Sequence, residues 1–520
     1  WWWMRGRRTT ARALASSDTV WRGGLWLVVG LAVLFRLPLA WQAAAGYVTP
    51  DGALSGIVAL HLRDGSERLV FVPQVPYSGS LKSHIAAGLA LAIDPARAFA
   101  LASLAFYAAF VAAVFALARS MRESSDPLST AVGAGIYLAF APAFVTRYSL
   151  SNDGNYVEVL ALGTAALWAA VRGAREPELA HKWALLAGLL LGLAFWCHIL
   201  AVIHAVTVAA FLAVRSFRRA LRAAPPLAGG FALGAAPSLV WNAANGWESF
   251  AYLLGGTAVG AESGPSSPGA RFAAMVRDQW PVLLGYDPGY PAAVDRALLA
   301  LAWSAVLLAV AATVAAARVA WSERCDVLRI LVLLAFVNVT VAAIALPHIP
   351  GNPRYLLFLM APLPVFLARL LRGRAGRLAL TVLVAMGAVG SLAQAPGAVR
   401  SDGEWRSFVA ALQREGVRWC HTDFYLATKV NFLSGERVVC SAKLGPTTTE
   451  YFFAYRREVE AAPEAALVAV NATNAEKLER RLERLGVSYV RRDLMKPVLL
   501  RLSRKVDPQD LFPDREFPLR

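Results

Sequence analysis

The sequence predicts a mainly α-helical, polytopic membrane protein that carries a small C-terminal α/β domain. Three observations lead there. Hydrophobic residues make up 57% of the 520 and charged residues only 17%, where a soluble chain carries about 25% charged. Mean hydropathy is +0.48. Apolar runs recur from Leu25 to about Gln394 and then stop; beyond Trp405 charges are dense and short helical and extended stretches alternate, as in an α/β domain.

Spans of roughly 20 apolar residues fall near 25–45, 98–118, 128–146, 156–171, 183–197, 199–214, 227–242, 297–317, 327–346, 354–371 and 378–396. That makes about eleven crossings. The stretch from Trp183 to Val214 is long for one crossing and basic at both flanks. Two short spans turning near Trp196-Cys197-His198 keep both flanks on one side. The domain boundaries expected are 1–24 for an N-terminal cytoplasmic segment, 25–399 for the membrane domain and 400–520 for the α/β domain. Trp1-Trp2-Trp3-Met4 reads as an upstream start-site artefact, and no cleavable signal is evident.

Net charge is +17 and the isoelectric point is about 10.1. Nucleic acid is the first partner such basicity suggests, but the basic residues sit in short loops. Arg5, Arg7, Arg8, Arg12 and Arg22 precede the first span. Further clusters are Arg119/Arg122, Arg172/Arg175/Lys182, Arg215/Arg218/Arg219/Arg222, Arg318/Arg324 and Arg369/Arg372/Arg374/Arg377. All fall on one side of the proposed spans, which is the positive-inside pattern. Membrane lipids are therefore the expected partner and nucleic acid is not. The N-terminus is expected in the cytoplasm, the α/β domain outside, and the whole in a cell (inner) membrane. Four cysteines are too few for a disulfide scaffold. Cys420 and Cys440 either pair in an oxidising compartment or remain buried thiols; the sequence leaves both open.

The opposite side then holds the loop at about 46–97, the Thr146–Tyr156 loop, the 243–296 loop and the turn from Pro347 to Arg354, including His348. Polar chemistry collects there. Asp51 lies between Pro50 and Gly52 at the head of an apolar segment, Ala53 to Leu62. A carboxylate so placed can act as general base on an acceptor hydroxyl, or simply cap the segment. Tyr77-Ser-Gly-Ser-Leu-Lys82-Ser-His84 offers an aromatic ring, flexible backbone and two basic side chains, suited to a phosphate; the alternative is a turn leading into an amphipathic helix. Arg354-Tyr355 opens a span, where Arg can grip a lipid phosphate or snorkel to headgroups. Asn152, Asp153 and Glu158 can bind a sugar or a metal, or cap the next span. No metal-ligand spacing is present, so the metal question stays open: no cofactor is required and a divalent ion is compatible. His198, His204 and His348 stand alone and read as packed or interfacial. Arg36 lies within the first span, which is costly; reaching the outer surface or pairing with an acid such as Asp51 are the solutions open to it.

Five passages, in order, resemble the GT-C glycosyltransferases, in the bacterial branch related to protein O-mannosyltransferases, aminoarabinose transferases and rhizobial galacturonosyl transferases. They are Asp51 to Gly65 with Ser-Gly-Ile-Val-Ala-Leu-His-Leu-Arg-Asp-Gly, Tyr77-Ser-Gly-Ser-Leu-Lys-Ser-His-Ile-Ala-Ala, Leu191-Gly-Leu-Ala-Phe-Trp-Cys-His198, Gly234-Ala-Ala-Pro-Ser-Leu-Val-Trp-Asn242, and Pro353-Arg-Tyr-Leu. In the tail, His421-Thr-Asp-Phe-Tyr and Phe432-Leu-Ser-Gly-Glu resemble that branch's C-terminal domain. The resemblance implies transfer of a sugar from a polyprenyl-phosphate donor to a lipid, glycan or protein acceptor, by inverting displacement. It implies Asp51 as the base and Arg354, with Lys82, at the departing phosphate. Tyr77, His84, Asp153, Glu158 and Tyr355 are the expected substrate-binding residues. Two positions depart from the pattern: Gly52 stands where relatives carry a second acid, and Lys82 replaces an acid. A transporter or lipid flippase, or a non-catalytic relative, is the alternative; no internal repeat supports the transporter.

Overall fold

The computed structural model describes residues 2–121, 126–151, 153–254, 267–286, 292–346, 349–444 and 450–512. Asn152 and His348 lie outside the described residues. The chain divides into two compact units. One comprises Trp1–Pro38, Ser103–Leu150 and Asn155–Ala395, the other Leu39–Ala102, Ser151–Gly154 and Pro396–Arg520.

Each expected span coincides with helical structure. Among the described residues, seven helices are long and apolar enough to cross a bilayer: Val20–Gln42, Pro95–Arg119, Tyr156–Arg175, Pro177–Cys197, Asp295–Ser322, Asp326–Ala345 and Arg374–Arg414. The span expected at 227–242 is broken. Phe217–Gly234 and Ala236–Ala244 meet at 69°, where Pro237 at the start of the second helix has no N–H to continue the ladder. Pro127–Ala139 and Ile199–Arg215 are shorter apolar helices. The segment expected as one span at 354–371 is a 3-10 turn, Arg354–Met360, followed by the helix Pro362–Leu370. Pro362 and Pro364 remove donors at the junction, so an unbroken α-helical ladder cannot form.

The hairpin expected between Trp183 and Val214 is present. One helix ends at Cys197, His198 is extended, and its Nδ1 accepts from Leu200 N at 3.1 Å to start the next turn. The Ala180–Cys197 helix packs against Phe217–Gly234 through glycine. A Cβ at Gly188 or Gly192 would collide with carbonyls of Leu227 and Phe231, and one at Gly230 or Gly234 with those of Leu185 and Leu189. Two facing GxxxG pairs thus bring the backbones together, a packing suited to lipid, where apolar side chains gain nothing by leaving the tails.

Arg36 is wholly buried. Its guanidinium donates to Ser149 Oγ at 2.8 Å, Ala139 O at 2.7 Å and Leu138 O at 3.2 Å, and lies 4.2 Å from the Tyr107 ring centroid. Two of these acceptors are terminal carbonyls of Pro127–Ala139, the negative end of that helix. The charge expected to be costly in the first span is therefore used to finish another helix.

In the second unit, which starts at Leu39, the short helix Ala44–Tyr47 precedes the Pro50–Asp64 helix. The unit continues through a small hairpin of β1 (Phe71–Val72) and β2 (Val75–Gly79), then the helix Leu81–Leu89. The C-terminal region forms a five-stranded sheet from β3 (Trp419–His421), β4 (Val439–Ser441), β5 (Ala466–Ala469), β6 (Tyr489–Asp493) and β7 (Val498–Leu502). Its order is β4-β3-β5-β7-β6. The β4, β3 and β5 strands are parallel, and β7 runs antiparallel to β5 and β6. The sequence suggests short strands at 417–420, 437–441 and 466–470 and extended stretches at 487–490 and 498–502. One face packs Phe408, Leu412, Val430 and Val468; the other packs Leu478 and Leu482 of the Ala472–Arg484 helix against Leu467 and Leu500. Cys420 and Cys440 are opposed in register on β3 and β4 and form a disulfide, which resolves the choice the sequence left open. Arg406 joins Asp94 at 3.0 Å to Asp402 at 2.7 Å, and Asp402 accepts from Ala45 N at 2.7 Å. The first-loop segments are thus tied to the C-terminal region by one ion network.

Replacing Arg36 by Met strands its carbonyl and hydroxyl acceptors in an apolar interior. We expect a loss on the order of 3 kcal/mol, read as a lower midpoint of thermal unfolding in detergent. A midpoint equal to wild type would show that those acceptors find other donors.

Candidate active site

The Pro50–Asp64 helix starts where the sequence requires it. Thr49 is extended and caps it, its Oγ1 accepting from Gly52 N at 3.1 Å, with Pro50 in the first turn. Capping, the simpler role open to Asp51, is thus performed by Thr49. Asp51 is exposed in the first turn, where the helix dipole favours a carboxylate. The same Thr49 hydroxyl donates to Asp153 Oδ1. One side chain therefore sets both the helix start and a buried acid. Lys429 faces Asp153 electrostatically, and its ammonium lies 3.8 Å from the Trp405 ring centroid. Burial pushes Lys429 down to about 8, against the opposing pull of Asp153.

The Tyr77–His84 segment is more ordered than a ligand-binding turn. Tyr77 lies on β2 and is half-buried, and Gly79 pairs with Phe71. Ser80 Oγ donates to Leu69 O at 2.6 Å and Ser83 Oγ to Ser55 O at 3.0 Å, so both hydroxyls serve the fold. Lys82 is 2% exposed, with its ammonium 5.5 Å from the Phe99 ring centroid. His84 is exposed, its Nδ1 2.8 Å from Ser80 O.

The far end of the Pro50–Asp64 helix holds a cluster that joins two of the passages singled out above, through His61 and Glu436. His61 Nε2 is 2.7 Å from Glu436 Oε1 and its Nδ1 is 3.0 Å from Glu67 Oε2. Tyr455 donates to Glu436 and lies 3.2 Å from His61 Nε2. Glu436 adopts φ 61° directly after Gly435 at φ 60°, a conformation that costs a non-glycine residue energy. Burial disfavours the imidazolium, but Glu436 and Glu67 together hold His61 above its ordinary 6.5. Burial likewise opposes the Glu436 carboxylate, yet His61 and Tyr455 hold it below its ordinary 4.5. Gly56, one turn earlier, lets the helix meet Phe432, whose ring would be 2.5 Å from a Cβ there.

Arg354, Tyr355 and Glu158 belong to the helical unit. Arg354 Nη2 donates to Tyr355 OH at 3.0 Å, and its backbone N donates to Asn352 Oδ1 at 3.3 Å. Tyr148 donates to the same Asn352 oxygen at 3.4 Å. Tyr156 stacks on His198 at 5.5 Å and meets Tyr355 edge-on at 6.2 Å. Arg354 thus faces the hydroxyls of Tyr148, Tyr156 and Tyr355. Its Nε is buried without a hydrogen-bond partner, and among the described residues no carboxylate lies within ion-pair reach of it. Glu158 is fully buried in the first turn of Tyr156–Arg175. Among the described residues, no group of three His, Cys, Asp or Glu side chains could hold a metal ion.

No protein-family model and no curated sequence matches the chain. Solved structures do. ArnT from Cupriavidus metallidurans bound to undecaprenyl phosphate aligns over 92% of this chain and 98% of its own, with a TM-score of 0.62 and 11% identity. ArnT from the same organism in the apo state aligns over 91% and 97%, at 0.60 and 12%. The Archaeoglobus fulgidus oligosaccharyltransferase tethered to an acceptor peptide aligns over 94% and 74%, at 0.50 and 12%. The chain therefore has a GT-C-like fold: many membrane helices and a small C-terminal α/β region.

The His61–Glu436 pair makes stability depend on pH. The His61 contribution is complete below 6.5 and is lost as pH rises through its raised folded value. The Glu436 contribution is present above 4.5 and is lost as pH falls through its lowered folded value. The gap in unfolding midpoint between wild type and His61→Gln is expected to be widest between those limits and to narrow on going alkaline. A gap independent of pH would sink the ion-pair assignment.

Proposed function

We propose that this chain is an integral-membrane glycosyltransferase that moves a sugar from a polyprenyl-phosphate donor to a cell-envelope acceptor, with inversion. The observation that carries this reading is Arg354, a cation that its own tyrosine cage leaves without a carboxylate. It stands within a fold that matches, along nearly its whole length, a structure bound to undecaprenyl phosphate. A guanidinium so placed suits a phosphate monoester, which it can hold by two parallel hydrogen bonds.

The acceptor hydroxyl attacks the anomeric carbon while Asp51 takes its proton. The bond from that carbon to the phosphate oxygen breaks, and the electron pair leaves with polyprenyl phosphate. Phosphate departs without protonation, so stabilising its growing charge is the larger demand; Arg354 meets it. Lys82 is the second phosphate candidate, and its burial over Phe99 makes Lys82→Met a test of packing as well as of charge. Tyr77, His84 and Tyr355 offer rings to the sugar or the isoprenoid. Asp153 and Glu158 offer carboxylates to sugar hydroxyls. A divalent ion would find Asp51 and Asp153 near one helix start but no third acidic or imidazole ligand among the described residues, and no step above depends on one.

The Cys420–Cys440 disulfide supports an oxidising compartment for the C-terminal region. That agrees with the basic loops facing the cytoplasm of an inner-membrane protein.

Protein reconstituted in bilayers and given a panel of polyprenyl-phosphate sugars should release free polyprenyl phosphate. Asp51→Asn should lower turnover by about 100-fold or more while donor binding persists. Arg354→Ala should cost about as much in turnover and weaken donor binding. Full turnover by Asp51→Asn removes that residue as base. Movement of a solute without sugar release from any donor would favour the transporter reading instead.

A further inference from the structure

The Tyr156–Arg175, Ala180–Cys197, Val202–Arg215 and Phe217–Gly234 helices line an open cavity of about 200 Å³. Its wall is apolar and built from small or branched side chains, among them Ala170, Ala184, Val208 and Leu227. Alanines at a four-helix junction cannot fill the space between the backbones, so a gap remains. The rim is cationic: Arg215, Arg219 and Arg222 line it. Arg215 is committed to Asp326, which also binds Arg175. Arg219 and Arg222 are exposed, and among the described residues neither has an ion-pair or hydrogen-bond partner. Like charges one turn apart on a helix repel each other, so an anion at this rim is doubly favourable.

We propose that this cavity binds an anionic phospholipid, with an acyl chain along the alanine wall and the headgroup phosphate held by Arg219 and Arg222. Both parts of the ligand are required. A free phosphate leaves the apolar wall uncovered, and a lipid without net charge leaves the two arginines unneutralised. Basic pockets between membrane helices hold acidic headgroups by the same physics. The site shares no residue with the reaction proposed above and does not depend on it.

The full-length protein, delipidated in detergent, is titrated with phosphatidylglycerol and bound lipid is counted by native mass spectrometry. Wild type should retain phosphatidylglycerol over phosphatidylcholine, and excess inorganic phosphate should not displace it. The double variant Arg219→Ala/Arg222→Ala should weaken retention at least about tenfold, whereas Arg218→Ala, an exposed neighbour outside the rim, should not. Ala223→Trp, which fills the lining from an accessible position, should weaken retention with both arginines intact. Equal retention by the double variant, an equal loss in Arg218→Ala, or equal binding of phosphatidylcholine overturns the proposal. Since Arg219 and Arg222 are exposed and unpaired, their removal leaves folding intact, and an unchanged elution profile checks this.

Discussion

Arg36 has no route to water from the interior of the helical unit, so the structure around it must supply its hydrogen bonds. It does so with the end of Pro127–Ala139 and the hydroxyl of Ser149. That helix stops short of a full span because Phe140 to Pro142 leave the α-helical path, and the carbonyls it exposes are those the guanidinium needs. Asp326 solves the opposite problem. It gathers Arg175 and Arg215 from two other helices, so an acid at the head of one helix is neutralised by bases at the tails of two. An apolar solvent gives no help to an unmatched charge, and these pairings fix which helices are neighbours.

The second unit is organised by a hydroxyl. Thr49 accepts from the backbone of its helix and donates to Asp153, so the helix start and the buried acid are set by one rotamer. Asp51 is therefore not the cap, and it is exposed in the first turn. At the other end of the helix, His61 is held between two carboxylates and a tyrosine. A helix secured at both ends keeps its first turn in a fixed orientation, which the role proposed for Asp51 requires.

Much of this was legible in residues. Long apolar runs flanked by arginine located the spans, and the basic flanks of Trp183–Val214 required the turn found at His198. In the tail, three of the five strands showed as short β-rich runs and the other two as extended stretches between charged segments. Other parts could not be read locally. Phe424–Ser434 is buried from Leu426 to Phe432 on every side, so it has no polar face and no helical period to detect. The strand at Tyr77 was hidden by serine and glycine, residues typical of turns, and the hydroxyls of Ser80 and Ser83 just after it serve backbone carbonyls. The His61–Glu436 contact joins positions 375 residues apart, and no spacing rule reaches across that interval. Capping was open to Asp51 in the sequence; backbone geometry shows that Thr49 caps instead.

The disulfide has a consequence for how the C-terminal region meets its surroundings. The β4 strand is the edge of the sheet and only three residues long, and such an edge invites pairing with a foreign strand. Cys420 and Cys440 are direct partners across β3 and β4, so sliding either strand by one residue would point the sulfurs to opposite faces. The bond therefore acts as a lock on alignment. A terminal strand that cannot slip or peel cannot be exchanged with a neighbour, so copies of the domain can be crowded together without becoming entangled.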